Sequence, residues 1–133
     1  MAVEYQYANK EQLLAAMREE FAFLESEYGY TELVERPERY INPYSVLYRK
    51  SPVEVLVEGI SYGSGTSIMF RIREDLSQPP QDNFCISWIT TIRRPDLQEW
   101  QFPENRVIEE LEPHRDLLNP PSRKRLEIAK SRS

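Results

Sequence analysis

The stretch Leu13-Leu14-Ala15-Ala16-Met17-Arg18-Glu19-Glu20-Phe21-Ala22-Phe23-Leu24-Glu25-Ser26-Glu27-Tyr28-Gly29-Tyr30 decides the fold, because the period of its apolar residues changes where it ends. Leu13, Leu14, Met17, Phe21, Leu24 and Tyr28 recur at helical spacing and form one stripe, with Glu19, Glu20, Glu25 and Glu27 mostly off it. The spacing predicts one helix from Lys10 to Tyr28. Asn9 is placed to cap its start, and Gln12 to complete a capping box. Gly29 stands where a left-handed residue would end it.

Beyond Gly29 the period is two. Tyr30 to Glu35 reads as a short strand closed by Pro37. Tyr44, Val46 and Tyr48 alternate up to Pro52, so the two tyrosines share a face with Val46. Val53, Val55 and Val57 alternate with Glu54 and Glu58, the pattern of a sheet with one wet face. Gly59 to Gly65 reads as a flexible connection, after which Ile68, Phe70 and Ile72 alternate with Met69 and Arg71. Asp75 to Asn83, with Pro79-Pro80, reads as the longest loop. Phe84, Ile86 and Trp88 resume the alternation, and Ile89 and Ile92 flank a bend.

Helical spacing returns with Val107, Ile108, Leu111, Leu117 and Leu118, after Pro103 in a first-turn position. Pro113 interrupts this run, which predicts two short helices or one kinked helix. The expected fold is α+β: an N-terminal helix, an antiparallel sheet of four or five strands, and C-terminal helices packed on one face. Residues 1–119 are expected to form one domain, with 120–133 a basic C-terminal tail or short helix.

Composition narrows the function classes. The chain has 133 residues, 40% hydrophobic and 29% charged, which suits one ordinary domain. One Cys and one His exclude an internal disulfide and a Cys/His zinc cage within one copy. No apolar run approaches the roughly 20 residues of a membrane-spanning helix, and the first residues lack the pattern of a signal peptide, so a cytoplasmic protein is expected. Charge is uneven: residues 1–60 sum to −5, 61–119 to −4, and 120–133 to +4. An acidic body repels phosphate backbones, so nucleic acid is an unfavoured partner.

Several motifs invite a chemical reading. Gly59-Ile60-Ser61-Tyr62-Gly63 matches G-x-S-x-G, and Asp96 and His114 follow in hydrolase order. That motif needs a strand-to-helix turn, whereas an alternating strand follows Gly65; a Gly- and Ser-rich hairpin turn accounts for the same residues. The same glycines lack the Lys of a phosphate-binding loop. Cys85 and His114 could form a thiolate–imidazolium pair, but Cys85 lies in an apolar strand and reads as a small buried hydrophobe, and His114 reads as a solvated helix-end residue. The carboxylates show no spacing with chemical meaning. No catalytic residue, metal site or cofactor is therefore assigned.

Binding residues are easier to name. Trp100-Gln101-Phe102 falls in a predicted linker, and Arg93-Arg94-Pro95-Asp96 in a strand-ending turn. Trp100, Phe102, Arg93 and Arg94 are the binding candidates, weighed against ordinary sheet packing and helix docking for the aromatics.

Phe21-Ala22-Phe23-Leu24-Glu25-Ser26-Glu27-Tyr28-Gly29-Tyr30 resembles the F-x-F-L-x-x-E-Y-G-F/Y segment of a scattered group of small bacterial proteins, where it joins the first helix to the first strand. Val46-Leu47-Tyr48-Arg49-Lys50-Ser51 and Val53-Glu54-Val55 resemble a strand pair of the same group. The resemblance covers roughly residues 11–60 and implies a bacterial source. Some members look like immunity proteins, which neutralise a toxin. The resemblance carries no catalytic residue. It suits a cytosolic, non-catalytic module that binds a protein partner, with an immunity-type inhibitor as one form. The alternatives are an adaptor docking through Trp100–Phe102 and the basic tail, and, less favoured, a hydrolase using Ser61.

Overall fold

The computed structural model describes residues 10–36, 40–60, 65–80, 82–90, 92–94, 99–102 and 106–118, with the backbone alone at 60, 82–84, 90, 92–94 and 99–101. Its architecture is the expected α+β arrangement. Helix α1 spans Lys10–Glu20 and α2 spans Phe23–Ser26. Strands β1 (Thr31–Glu32), β2 (Ser45–Lys50), β3 (Val53–Ile60), β4 (Gly65–Ile72) and β5 (Asp82–Thr90) form one antiparallel sheet in the order β1-β2-β3-β4-β5. Strands β6 (Ile92–Arg94) and β7 (Glu99–Gln101) pair as a separate ribbon. Helix α3 (Arg106–Leu111), a 3₁₀ turn (Glu112–His114) and α4 (Arg115–Leu118) follow.

The apolar stripe of the sequence is the helical half of the core. Leu13, Leu14, Met17, Phe21, Leu24 and Tyr28 are buried together with Val46, Tyr48, Val53, Val55, Val57, Ile68, Phe70 and Ile72 from one face of the sheet, and with Val107, Leu111, Leu117 and Leu118. Gly59 lets α1 approach: a Cβ there would lie 3.1 Å from Tyr44 Cβ, 3.2 Å from Leu13 Cδ2 and 3.2 Å from Met17 Cε. Gly29 has φ +74°, and its N–H donates to the Glu25 carbonyl at 3.2 Å, closing the helical segment with a left-handed cap.

The single helix expected over 10–28 is two. Around Phe21-Ala22 the backbone tightens from i→i−4 to i→i−3 bonds, with Ala22 N–H reaching Glu19 O and Leu24 N–H reaching Phe21 O. This brings Phe23 beside Phe21 at 6.4 Å between ring centroids and edge-on to Tyr28 at 6.2 Å. In a regular helix, residues two apart face away from each other. At the other end, the run around Pro113 resolves into two short helices, because the proline takes an early position in a 3₁₀ turn.

Three strand expectations also change. The first strand is only Thr31–Glu32, although Leu33 N–H still donates to Leu47 O at 2.8 Å. The connection between β3 and β4 is only residues 61–64, since Ile60 and Gly65 are already paired. In β5 the pairing shifts between Ile68↔Ser87 and Met69↔Cys85, leaving Ile86 as an extra residue. That bulge turns Trp88 away from the core and places Ile89 in it, while Ile86 still packs partly against the core. The Cys85 thiol donates across the bulge to Ser87 O at 3.1 Å. Cys85 is exposed, which corrects its reading as a buried hydrophobe.

Among the described residues, no helix is long and apolar enough to cross a membrane. Asn9, Pro37, Pro103 and the 120–133 tail lie outside the described residues.

Candidate functional site

The two faces of the sheet carry different chemistry. The face opposite the helices was expected to be wet, yet Glu54 is 0% exposed and Arg71 and Arg73 are also buried. Strand register explains how they meet. Arg49, Glu54 and Arg71 are directly opposite one another on β2, β3 and β4. Arg71 Nε donates to Glu54 Oε1 at 2.6 Å, and Arg49 Nη1 to Glu54 Oε2 at 3.0 Å. Arg73 Nε lies 3.3 Å from Glu54 Oε2. Arg49 also donates to the Arg73 carbonyl at 2.6 Å and to Ser51 Oγ at 3.3 Å, which ties the β2–β3 turn to the end of β4. A carboxylate removed from water needs such partners, and three guanidinium groups supply them. Leu47 and Leu56 are buried on the same face.

This network was legible in part. Arg49 and Glu54 stand symmetrically about Ser51-Pro52, so a two-residue hairpin turn makes them cross-strand neighbours. Further along the face, the Trp88 indole covers Gly65, where a Cβ would come within 3.1 Å of Nε1. Trp88 remains 58% exposed.

The helical layer on the other side is acidic. Residues 10–28 and 106–118 carry nine acidic and four basic side chains, a balance of −5. The other residues before 120 sum to −4, and residues 120–133 to +4. Glu11, Glu19, Glu25, Glu27, Glu109 and Glu112 are exposed. The cations of the layer are already engaged. Arg18 is bidentate on Glu32 at 3.0 and 3.1 Å, Arg106 pairs with Glu109 and Glu110, and Arg115 pairs with Glu112 at 3.2 Å. A hydrogen bond from Arg115 to Tyr28 Oη, then the charge of Glu112, holds its pKa above the ordinary arginine value. Burial, then Glu19, raises Glu20 above the ordinary carboxyl range. Where α2 meets α3 and α4 the layer opens into a cleft of about 230 Å³, lined in part by Phe23, Ile108, Leu111 and Leu118.

Of the residues singled out in the sequence, the binding candidates gather at the β6–β7 ribbon and the residue that follows it, whereas Cys85 and His114 are held apart. Arg93 is opposite Trp100, and Arg94 opposite Glu99, in the β6–β7 ribbon. Thus the expected turn and linker are in part paired strands, and β7 runs beside α1. Only the backbone of Arg93, Arg94 and Trp100 is described. Phe102 is half-buried and meets Phe21 edge-on at 5.9 Å, so its ring packs against the core. Ser61, Tyr62, Gly63 and Asp96 lie outside the described residues, but strands flank the G-x-S-x-G segment on both sides. His114 is half-buried and edge-on to Phe70 at 6.0 Å, on the helical side of the sheet; it is not the solvated residue expected. Cys85 pairs with Met69, whose parity faces the other side, so the two are not brought together. Among the described residues, no group of three or more His, Cys, Asp or Glu is gathered as a metal site.

Compared with protein-family models, with curated proteins and with solved structures, the chain matches none.

Proposed function

We propose that the chain is a non-catalytic module that binds a basic protein through its acidic helical layer. An immunity-type inhibitor, capping the basic nucleic-acid groove of a toxin, is the concrete form the charge favours, and it fits a bacterial cytosolic source. The observation that carries this reading is the concentration of charge on the helices: 32 residues hold −5, on a surface of exposed glutamates. Such a surface speeds encounter with a cationic partner and repels nucleic acid from the same face. Cys85 and His114 lie on opposite sides of the sheet, which removes that pair as a catalytic dyad.

The test is an affinity capture from bacterial lysate at low salt and at about 0.5 M salt, where charge attraction is screened within a few ångströms. A variant with Glu11, Glu19, Glu25 and Glu27 all changed to Gln runs in parallel. A stoichiometric basic partner released by salt and lost with the variant is expected. A partner indifferent to both treatments, or none, would overturn the proposal.

A further inference from the structure

Resting on that reading, we infer that the cleft between α2 and the α3–α4 pair is the anchor point of the acidic layer, and that it receives a phenyl-sized side chain flanked by Lys or Arg in a segment of the partner protein. The cleft floor is apolar: Leu111 and Leu118 are buried, and Phe23 is partly buried beside them. Ile108 extends this surface outward and is 54% exposed, although Val107 and Leu111 of the same short helix are buried. At about 230 Å³ the space exceeds the ~150 Å³ that holds a benzene ring in an apolar cavity.

The rim selects the flanking charge. Glu27 and Glu112 both line the cleft and are exposed. Glu112 is paired with Arg115, whose Nε also donates to Tyr28 Oη at 3.2 Å. The Glu27 backbone N–H donates to the Phe23 carbonyl at 2.8 Å, while its exposed carboxylate, whose charge also acts on Arg115, faces an incoming cation. An apolar seat beside exposed carboxylates, within a layer of net −5, is complementary to an aromatic residue in a basic segment. A neutral or acidic segment would bring nothing to Glu27 and would be repelled by the layer.

The test uses the full chain and two short synthetic peptides, lysines around a central phenylalanine and the same lysines around a central glycine. Binding is followed by backbone amide NMR shifts at low salt. The phenylalanine peptide should bind about ten-fold tighter or more, since burying an apolar side chain of this size favours association by about that factor. Its largest shifts should fall at Ile108, Leu111 and Leu118. Ile108→Ser should remove that preference with an unchanged melting temperature, because the side chain is already half in water. Glu27→Gln should weaken the phenylalanine peptide a few-fold, and Glu35→Gln, exposed but outside the helical layer, should not. Equal binding of both peptides, with shifts spread over α1 and α2, would overturn the cleft inference and leave the acidic-layer reading standing. Binding of neither peptide would overturn both.

Discussion

One face of the five-stranded sheet is closed by aliphatic and aromatic packing, the other in part by ions. Under the helices lie Val46, Val53, Val55, Val57, Ile68, Phe70 and Ile72. On the reverse face Glu54 and Arg71 occupy positions of the opposite parity on the same strands, and are buried as well. The two solutions fail differently. Apolar packing loses stability in proportion to the atoms removed, whereas a buried ion network loses most when one partner is deleted and the others keep their charge.

The sharpest way to break this contrast is Glu54→Gln. It leaves Arg71 and Arg73 in place without their shared carboxylate, and should cost about 3–5 kcal/mol in a urea titration. A cost below about 1 kcal/mol would mean that the reverse face behaves as an exposed, screened surface. On the helical face, Gly59→Ala should cost about 1–3 kcal/mol by thermal unfolding, because the new methyl must displace Tyr44, Leu13 or Met17. An unchanged melting temperature would show that α1 has room to move off the sheet.

The smallest effect concerns the acidic layer. Glu20 has its folded pKa raised, so the stability tied to its neutral form is fully present below the ordinary value of 4.5 and lost as the pH rises through the folded value. Glu20→Gln should therefore stabilise the protein at pH 7 by less than about 0.5 kcal/mol, and not at all near pH 4. Stability measured at both pH values checks the sign; a destabilised variant at pH 7 would show that the carboxylate is welcome where it lies.

Much of this architecture was legible because the signals are local. The stripe from Leu13 to Tyr28, the left-handed position of Gly29 and the alternation of β2 to β4 each sit within one element. Register between elements was harder to read. Phe84, Ile86 and Trp88 share a parity, yet the bulge at Ile86 sends Trp88 to the opposite face, and that shift depends on the pairing with β4. Glu54 read as a residue of a wet face because alternation reports polarity, while burial depends on what the partners Arg49, Arg71 and Arg73 bring to it. Ile108 fitted a helical apolar pattern and is exposed. The cleft beside it arises where α2 and Tyr28 meet the α3–α4 run, two segments far apart in sequence, so no single window could reveal it.

The bulge in β5 also bears on how molecules of this protein meet one another. A straight nine-residue strand at the margin of a sheet offers a ladder of backbone groups to any extended chain that passes. The extra residue at Ile86 breaks that ladder near its middle and kinks the strand, so an incoming strand cannot keep register along its length. The residue that displaces Trp88 from the core thereby also interrupts the edge along which this sheet could pair with an extended chain.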